Sequence, residues 1–138
     1  MNLQDTQAKK YIEEANLTLD SARAIFNEAK RGKPLWAQVV KLCYDSMEQA
    51  ISAAIAKRGE LIPKEHPEKV TKFIALYGEQ RISKLILRWL GKRGRAQYVD
   101  IRGGRIVVPH ELFNEEDAKL ALEDATEIIS DIKNLISK

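Results

Sequence analysis

The chain has 138 residues, 44% hydrophobic and 31% charged, a composition that argues against disorder, and its length predicts a single domain over residues 1–138. The lone Cys43 excludes an intramolecular disulfide and a cysteine-rich zinc site, and the net charge of +3 is mild. Because the N-terminal residues lack a signal-like apolar core and no run of about 18 apolar residues occurs, we expect a cytoplasmic protein with no membrane partner.

Two long amphipathic helices are predicted first. Apolar residues recur at steps of three and four from Ala8 to Ala29, and Gly32 then favours a tight turn. The second helix is expected from about Pro34 to Arg58. Its apolar stripe is broader than one neighbour covers, so this helix is predicted to be central and antiparallel to the first.

Two shorter helices follow. One is predicted to begin near His66 or Pro67 and to end near Gly78, with His66 in a capping or surface role. The next runs from Ile82 and is expected to end at Gly91 and Gly94. Trp36 and Trp89 lie on apolar faces and are predicted to be core or interface residues, and Cys43 is expected to be an inert core thiol.

The stretch from Arg88 to His110 holds six basic residues against one acid, Asp100, and this uneven charge is typical of a surface that meets phosphate. Ile101 to Val108 is predicted to be extended, with a turn at Gly103 and Gly104. The basic members are Arg88, Lys92, Arg93, Arg95, Arg102 and Arg105.

The last helix is predicted to start at Asn114, where Glu115, Glu116 and Asp117 favour the positive end of the helix dipole and Asp117 occupies the capping-box position. The predicted fold is therefore all-α: an up-and-down bundle of four to five helices, with a short extended basic loop before the last helix.

These segments together resemble the HEPN domain family, from about Ala8 to Leu135. The resemblance lies in EEANLTLDSARAIF, in WAQVVKLCYDSMEQAISAAI, in Arg95-Ala-Gln-Tyr98, and in the closing NEEDAKLALEDATEII. It implies an up-and-down bundle that forms a homodimer, often beside a small nucleotidyltransferase that acts as antitoxin. The element from Arg95 to Asp100 resembles the version found in nucleotidyltransferase-associated members.

Many members of the family are metal-independent RNases with an Arg, four to six residues, then a His, brought together from both subunits. Arg105-Ile-Val-Val-Pro-His110 satisfies that spacing. It differs in having Ile106 where a polar residue is usual, and in Val107, Val108 and Pro109, which resist the helix on which the motif usually lies.

The chemistry is consistent with this reading. Metal-free RNA cleavage needs a base, an acid and fixed positive charge on the phosphate, which His110 with Arg102 and Arg105 can supply near neutral pH. Arg88, Lys92, Arg93, Arg95, Tyr98 and Asp100 are the predicted phosphate or nucleotide contacts. No metal or other cofactor is predicted, because the paired carboxylates lack accompanying histidines.

Each of these predicted site residues also has a structural interpretation. His110 alternatively caps or precedes the final helix, and the basic cluster alternatively complements helix ends. Tyr98 either stacks on a base or packs on the bundle, and its valine neighbour favours packing. Asp100 is expected to organise arginines through salt bridges.

Three functions remain open at this point. The first is an RNase, the toxin of a toxin and antitoxin pair. The second is a non-catalytic module that binds a nucleotide or polyanion and partners a nucleotidyltransferase. The third is a structural dimer whose broad apolar helix face is its function.

Overall fold

The computed structural model describes residues 2–137, which form a helical bundle with one small hairpin. The all-α prediction is confirmed. No helix in this range is long and apolar enough to cross a bilayer. In chain order the elements are α1 (Leu3–Ala29), α2 (Trp36–Lys57), α3 (His66–Tyr77), α4 (Gln80–Gln97), β1 (Asp100–Arg102), β2 (Arg105–Val107), α5 (Pro109–Leu112) and α6 (Glu115–Ile136).

Helix α2 is the centre of the bundle, as its broad apolar stripe predicts. It packs against α1, α3, α4 and α6, and fifteen of its residues are buried. Several of these residues are alanines, which let neighbouring helices approach closely. Because α2 is central, a buried polar side chain on it costs free energy unless it finds a partner inside the protein.

The predicted antiparallel hairpin of α1 and α2 is confirmed at both of its ends. At one end, the Lys57 ammonium lies 3.2 Å from the Asp5 carboxylate. At the other end, the rings of Phe26 and Trp36 meet edge to face with centroids 5.4 Å apart. Between them Gly32 turns the chain with a φ of +110°, a value that favours glycine.

Helix α4 is longer than the sequence analysis predicts. The expected stop at Gly91 and Gly94 is wrong, since both glycines lie inside α4 and neither has a positive φ. Buried Trp89 and Ala96 lie on either side of these positions and keep the helix packed on the bundle. Part of the basic segment is therefore helical. Because successive residues rotate by about 100°, Arg93 lies on a different side of α4 from Lys92 and Arg95.

The hairpin after α4 is confirmed. Strands β1 and β2 pair antiparallel, with Ile101 opposite Ile106 and Arg102 opposite Arg105. Gly103 and Gly104 both have positive φ, at +55° and +75°, as a two-residue hairpin turn requires.

The single-turn helix α5 is not predicted by the sequence analysis. Pro109 stands at its first position, where the missing amide hydrogen costs nothing and the fixed φ suits a helix. The capping box of α6 is confirmed, since the Asn114 side chain accepts from the Asp117 amide and the Asp117 carboxylate accepts from the Asn114 amide.

Candidate functional site

Two arginines of the basic segment form ion pairs with carboxylates of the bundle. The Arg93 Nε lies 3.2 Å from an Asp45 oxygen, and its side chain is only 15% exposed. The Arg88 guanidinium lies 3.7 Å from Asp124, a buried carboxylate that also accepts a 2.8 Å hydrogen bond from the Trp89 indole. Both arginines therefore face carboxylates, and Arg93 ties α4 to α2.

Two other cations of α4 converge on a small hollow. Lys92 and Arg95 line a depression of about 200 Å³ together with Leu112, Phe113 and Asp117. We call this depression the basic hollow. Within residues 2–137 neither Lys92 nor Arg95 forms an ion pair, and the Lys92 ammonium lies 4.7 Å from the centroid of the Trp89 ring.

The electrostatics of the basic hollow favour an anion. Its one carboxylate, Asp117, already accepts the Asn114 amide hydrogen at 2.9 Å in the capping box of α6. Where α4, α5 and the start of α6 meet, the hollow therefore has two cations without ion pairs among the described residues and one carboxylate that is already hydrogen bonded, so its net charge is positive.

The hairpin presents two arginines side by side. Arg102 and Arg105 are directly opposite in the register, and the Arg102 Nε lies 3.3 Å from Asp100. Asp100 thus forms a salt bridge with one of the two arginines, and its predicted contact with a phosphate or nucleotide stays a prediction. Arg105 is exposed and has no ion-pair partner within the part of the chain that the structure describes. Like charges directly opposite one another destabilise a hairpin, so an anion at Arg105 would stabilise it.

His110 lies on α5 with about half of its side chain exposed, at 52%. Its nearest carboxylate is that of Glu111, 4.0 Å from Nε2. No hydrogen bond joins His110 to Arg102 or Arg105 among the described residues of this single copy. The candidate acid or base is thus accessible to a ligand and is not held by a neighbouring side chain.

The prediction that Tyr98 packs on the bundle is wrong, since its side chain is 59% exposed. Tyr98 is the residue after α4 and has an extended backbone, while its amide still bonds to the Gly94 carbonyl at 3.1 Å. The chain therefore leaves the helix axis at Tyr98, and Ala96 fills the inner position instead. An exposed ring three residues after Arg95 suits stacking on a base.

A buried ionic cluster between α2 and α3 was missed by the sequence analysis. Glu48 is 7% exposed, accepts a 2.8 Å hydrogen bond from the Lys69 ammonium and bonds to Nδ1 of His66. The predicted capping or surface role of His66 is therefore wrong, because its half-buried ring bonds to Glu48 rather than to the helix backbone. The available signal was an acid inside the apolar stripe of α2.

Attraction between the Glu48 carboxylate and its two partners, Lys69 and His66, holds the cluster together. Burial by itself raises the pKa of Glu48, but the hydrogen bonds and charges of Lys69 and His66 outweigh it and leave the pKa below its usual value. Burial, together with the nearby Glu48 carboxylate, raises the pKa of the Tyr44 phenol. Glu48 is therefore ionised at neutral pH and joins α3 to the central helix.

The remaining predicted core residues lie as expected. Cys43 is fully buried, and burial raises the pKa of its thiol to about 12, so it is protonated at neutral pH and inert. Trp89 is fully buried and Trp36 is half-buried.

Among residues 2–137 no three His, Cys, Asp or Glu side chains form a group that would hold a metal ion.

The helices form an all-α bundle with a short basic segment before the last helix, and an all-α bundle is the fold that the predicted resemblance implies. A family model described as HEPN domain matches residues 8–135, nearly the whole chain. The chain belongs to the HEPN domain family. A search of curated proteins finds no match. In this HEPN protein the basic hollow, the hairpin and α5 lie within the matched range.

Proposed function

We propose that this HEPN protein binds RNA or a nucleotide, with a phosphate in the basic hollow and a base stacked on Tyr98. The observation that carries the proposal is the convergence of Lys92 and Arg95, both without ion pairs within residues 2–137, on one depression beside α5. Phosphate is a strong acceptor for a guanidinium, and an exposed aromatic ring stacks on any base.

A metal-independent RNase activity is the finer form of the proposal, with the protein acting as the toxin of a toxin and antitoxin pair. In it His110 moves the proton at the 2′-hydroxyl or at the leaving oxygen, while Arg102 and Arg105 neutralise the phosphate. Since no hydrogen bond joins His110 to these arginines within residues 2–137 of a single copy, the complete site in this proposal is formed by a homodimer, in which a twofold axis brings two copies of the segment together.

The test for cleavage is incubation of the purified protein with total RNA in a chelator. The wild type is expected to cleave and His110→Ala is expected to lose cleavage while retaining its RNA affinity. A matched control is Lys64→Gln, an exposed residue of the linker between α2 and α3. Cleavage by the wild type and His110→Ala alike would indicate contamination and would contradict the assigned role of His110.

The alternative is a non-catalytic module that binds a nucleotide or polyanion and partners a small nucleotidyltransferase. The exposed, loosely held His110 favours it, because an effective acid or base is normally oriented by a second group. This alternative predicts tight, salt-sensitive RNA binding with no cleavage by the wild type. Cleavage that depends on His110 would exclude it.

A further inference from the structure

An apolar groove lies between α1 and the last turn of α6. It has a volume of about 650 Å³, which is within the range usual for small-molecule sites, and the end of α2 closes one side of it. Its lining residues on α1 run from Asp5 to Asn16, about 16 Å along the helix at 1.5 Å for each residue. We call this depression the α1–α6 groove.

Small and aliphatic side chains form the floor of the groove. Ala8, which is 2% exposed, belongs to one buried cluster with Ala53 and Ala56 of α2, and the partly buried Ile12 and Ile136 pack against that cluster. Ala8, Ile12 and Ile136 line the groove itself. A hydrocarbon chain placed on this floor would be removed from water, which is favourable in proportion to the apolar area buried.

The two acids that line the groove both have partners. The Asp5 carboxylate lies 3.2 Å from the ammonium of Lys57, which also lines the groove. The Glu13 carboxylate lies 3.4 Å from the Lys10 ammonium. Since each acid already faces a cation, neither favours a cationic ligand.

Two lysines reach the groove from different helices without such a partner. Lys9 of α1 and Lys133 of α6 both line it, and neither forms an ion pair among the residues that the structure describes. Two ammonium groups beside an apolar floor suit a ligand with a hydrocarbon body and one anionic head. A carboxylic acid is ionised at neutral pH, and its two oxygens accept hydrogen bonds from two lysines.

We propose that the α1–α6 groove binds a medium-chain fatty carboxylate. The acyl chain lies on Ala8, Ile12 and Ile136, and the carboxylate lies between Lys9 and Lys133. An extended chain of ten carbons, with C–C bonds of about 1.5 Å, spans about 12 Å and is therefore shorter than the groove. Charge complementarity with the two lysines favours this occupant over a neutral or cationic amphiphile.

The groove is distinct from the proposed phosphate site. Asp117 of the basic hollow and Lys133 of the groove lie on the same helix, about 24 Å apart along its axis at 1.5 Å for each residue. Lys92 and Arg95 are not used by the fatty carboxylate and stay available for phosphate. The proposal therefore goes beyond RNA binding and does not depend on it.

The test is a titration of the isotope-labelled full chain with sodium decanoate, without RNA, followed through backbone amide chemical shifts. Decanoate is expected to bind with a Kd of about 0.1–1 mM, in line with its small size, and to shift the amides of Ala8, Ile12 and Ile136. Octanoate is expected to bind more weakly and dodecanoate more tightly, by about two- to fourfold for each CH₂ group. Decyltrimethylammonium has the same chain with a cationic head, and it is expected to leave these amides unshifted.

Substitution of the lysines tests the position of the head group. Lys9→Gln/Lys133→Gln is expected to weaken decanoate binding about three- to tenfold, since each exposed ion pair contributes little. The matched control is Lys64→Gln/Lys119→Gln, which removes the same charge from two exposed lysines that do not line the groove and should keep the wild-type Kd. Circular dichroism checks that each variant is folded.

A wild type that shows no shift with decanoate, equal affinities for decanoate and decyltrimethylammonium, or equal Kd values for the two double variants would each overturn the proposal. Shifts at Lys92 and Arg95 in place of the groove would do the same.

Other occupants of the groove would also be recognised. Amide shifts at Ala8 and Ile12 that follow the protein concentration and not the decanoate concentration would show a second copy in the groove. Shifts that appear with phosphatidylglycerol vesicles and not with decanoate would show a membrane surface there. Either result would contradict a free fatty carboxylate as the ligand.

Discussion

Replacing Glu48 by Gln tests whether the buried ionic cluster holds α3 to the central helix. The substitution keeps the size of the side chain and removes its charge. Lys69, 2.8 Å away and 17% exposed, would keep its ammonium without a carboxylate, and His66 would lose its charged acceptor. The helix backbone is unchanged, so the effect isolates the ionic contacts.

The expected cost is about 2–3 kcal/mol, because breaking a fully buried pair costs about 3–5 kcal/mol and these partners retain some access to water. With an unfolding entropy of about 2.1 cal/mol/K for each residue, this corresponds to a fall in Tm of about 7–10 °C for a chain of 138 residues.

The effect also depends on pH. The folded pKa of Glu48 lies below its unfolded value, so its stabilisation is present above an unfolded pKa of about 4.3 and is lost as the pH falls through the folded pKa. The difference in stability between wild type and Glu48→Gln should therefore stay constant from pH 7 to about 4.3 and shrink as the pH falls below that value.

The assay is thermal and urea unfolding followed by circular dichroism at several pH values. The matched control is Glu14→Gln, an exposed residue of α1 without an ion pair among residues 2–137. A Glu48→Gln protein as stable as this control at pH 7 would refute the reasoning, as would a stability difference that does not change with pH.

Three further predictions concern the packing of the helices. Gly91→Ala should stabilise the protein by about 0.5–1 kcal/mol, because Gly91 is helical and nothing lies within 4 Å of an added Cβ. Gly78→Ala should destabilise the protein by about 1–2 kcal/mol, because the φ of Gly78 is +59°. Urea unfolding measures both free energies, and equal effects of the two substitutions would contradict the prediction. Trp89→Phe should cost about 2 kcal/mol in the same assay by leaving the buried Asp124 without its indole donor, and a neutral result would show that this bond contributes little. Cys43 should resist a thiol reagent in native buffer at pH 8 and react in denaturant, since its pKa is raised to about 12; rapid native labelling would show that the thiol is accessible.

Regular amphipathic patterns allowed most of the bundle to be predicted. The steps of three and four in α1 and α2, and the capping box at Asn114, describe local physics that the tertiary structure leaves in place. The glycine turn at Gly103 and Gly104 was equally local. These elements were predictable because propensity and packing favour the same structure.

The errors came where packing outweighs a local signal. Gly91 is a weak helix former, yet α4 continues through it because Trp89 and Ala96 pack on the bundle. Tyr98 is exposed because the chain changes direction at that residue, which a valine neighbour does not reveal.

The sequence predicts that the candidate site is a basic segment, but it does not predict how the basic side chains are arranged in space. Sequence places six cations close together, whereas the fold turns Arg93 towards Asp45 and leaves Lys92 and Arg95 together in the basic hollow. Which cations meet an acid depends on the rotation of α4 and on side chains more than 30 residues away, such as Asp124 beside Arg88. A local sequence pattern does not predict ion pairs between residues that are this far apart in the chain.

The affinity for single-stranded RNA as a function of salt is the most direct test of phosphate binding at the basic hollow. Fluorescence anisotropy should show that Lys92→Gln/Arg95→Gln lowers the affinity and reduces the slope of log affinity against log salt by about 1.4, or about 0.7 for each lost phosphate contact. The control Lys9→Gln/Lys64→Gln removes the same charge from exposed positions on α1 and in the α2–α3 linker, and it should keep the wild-type slope. Equal slopes for both double variants would contradict the account.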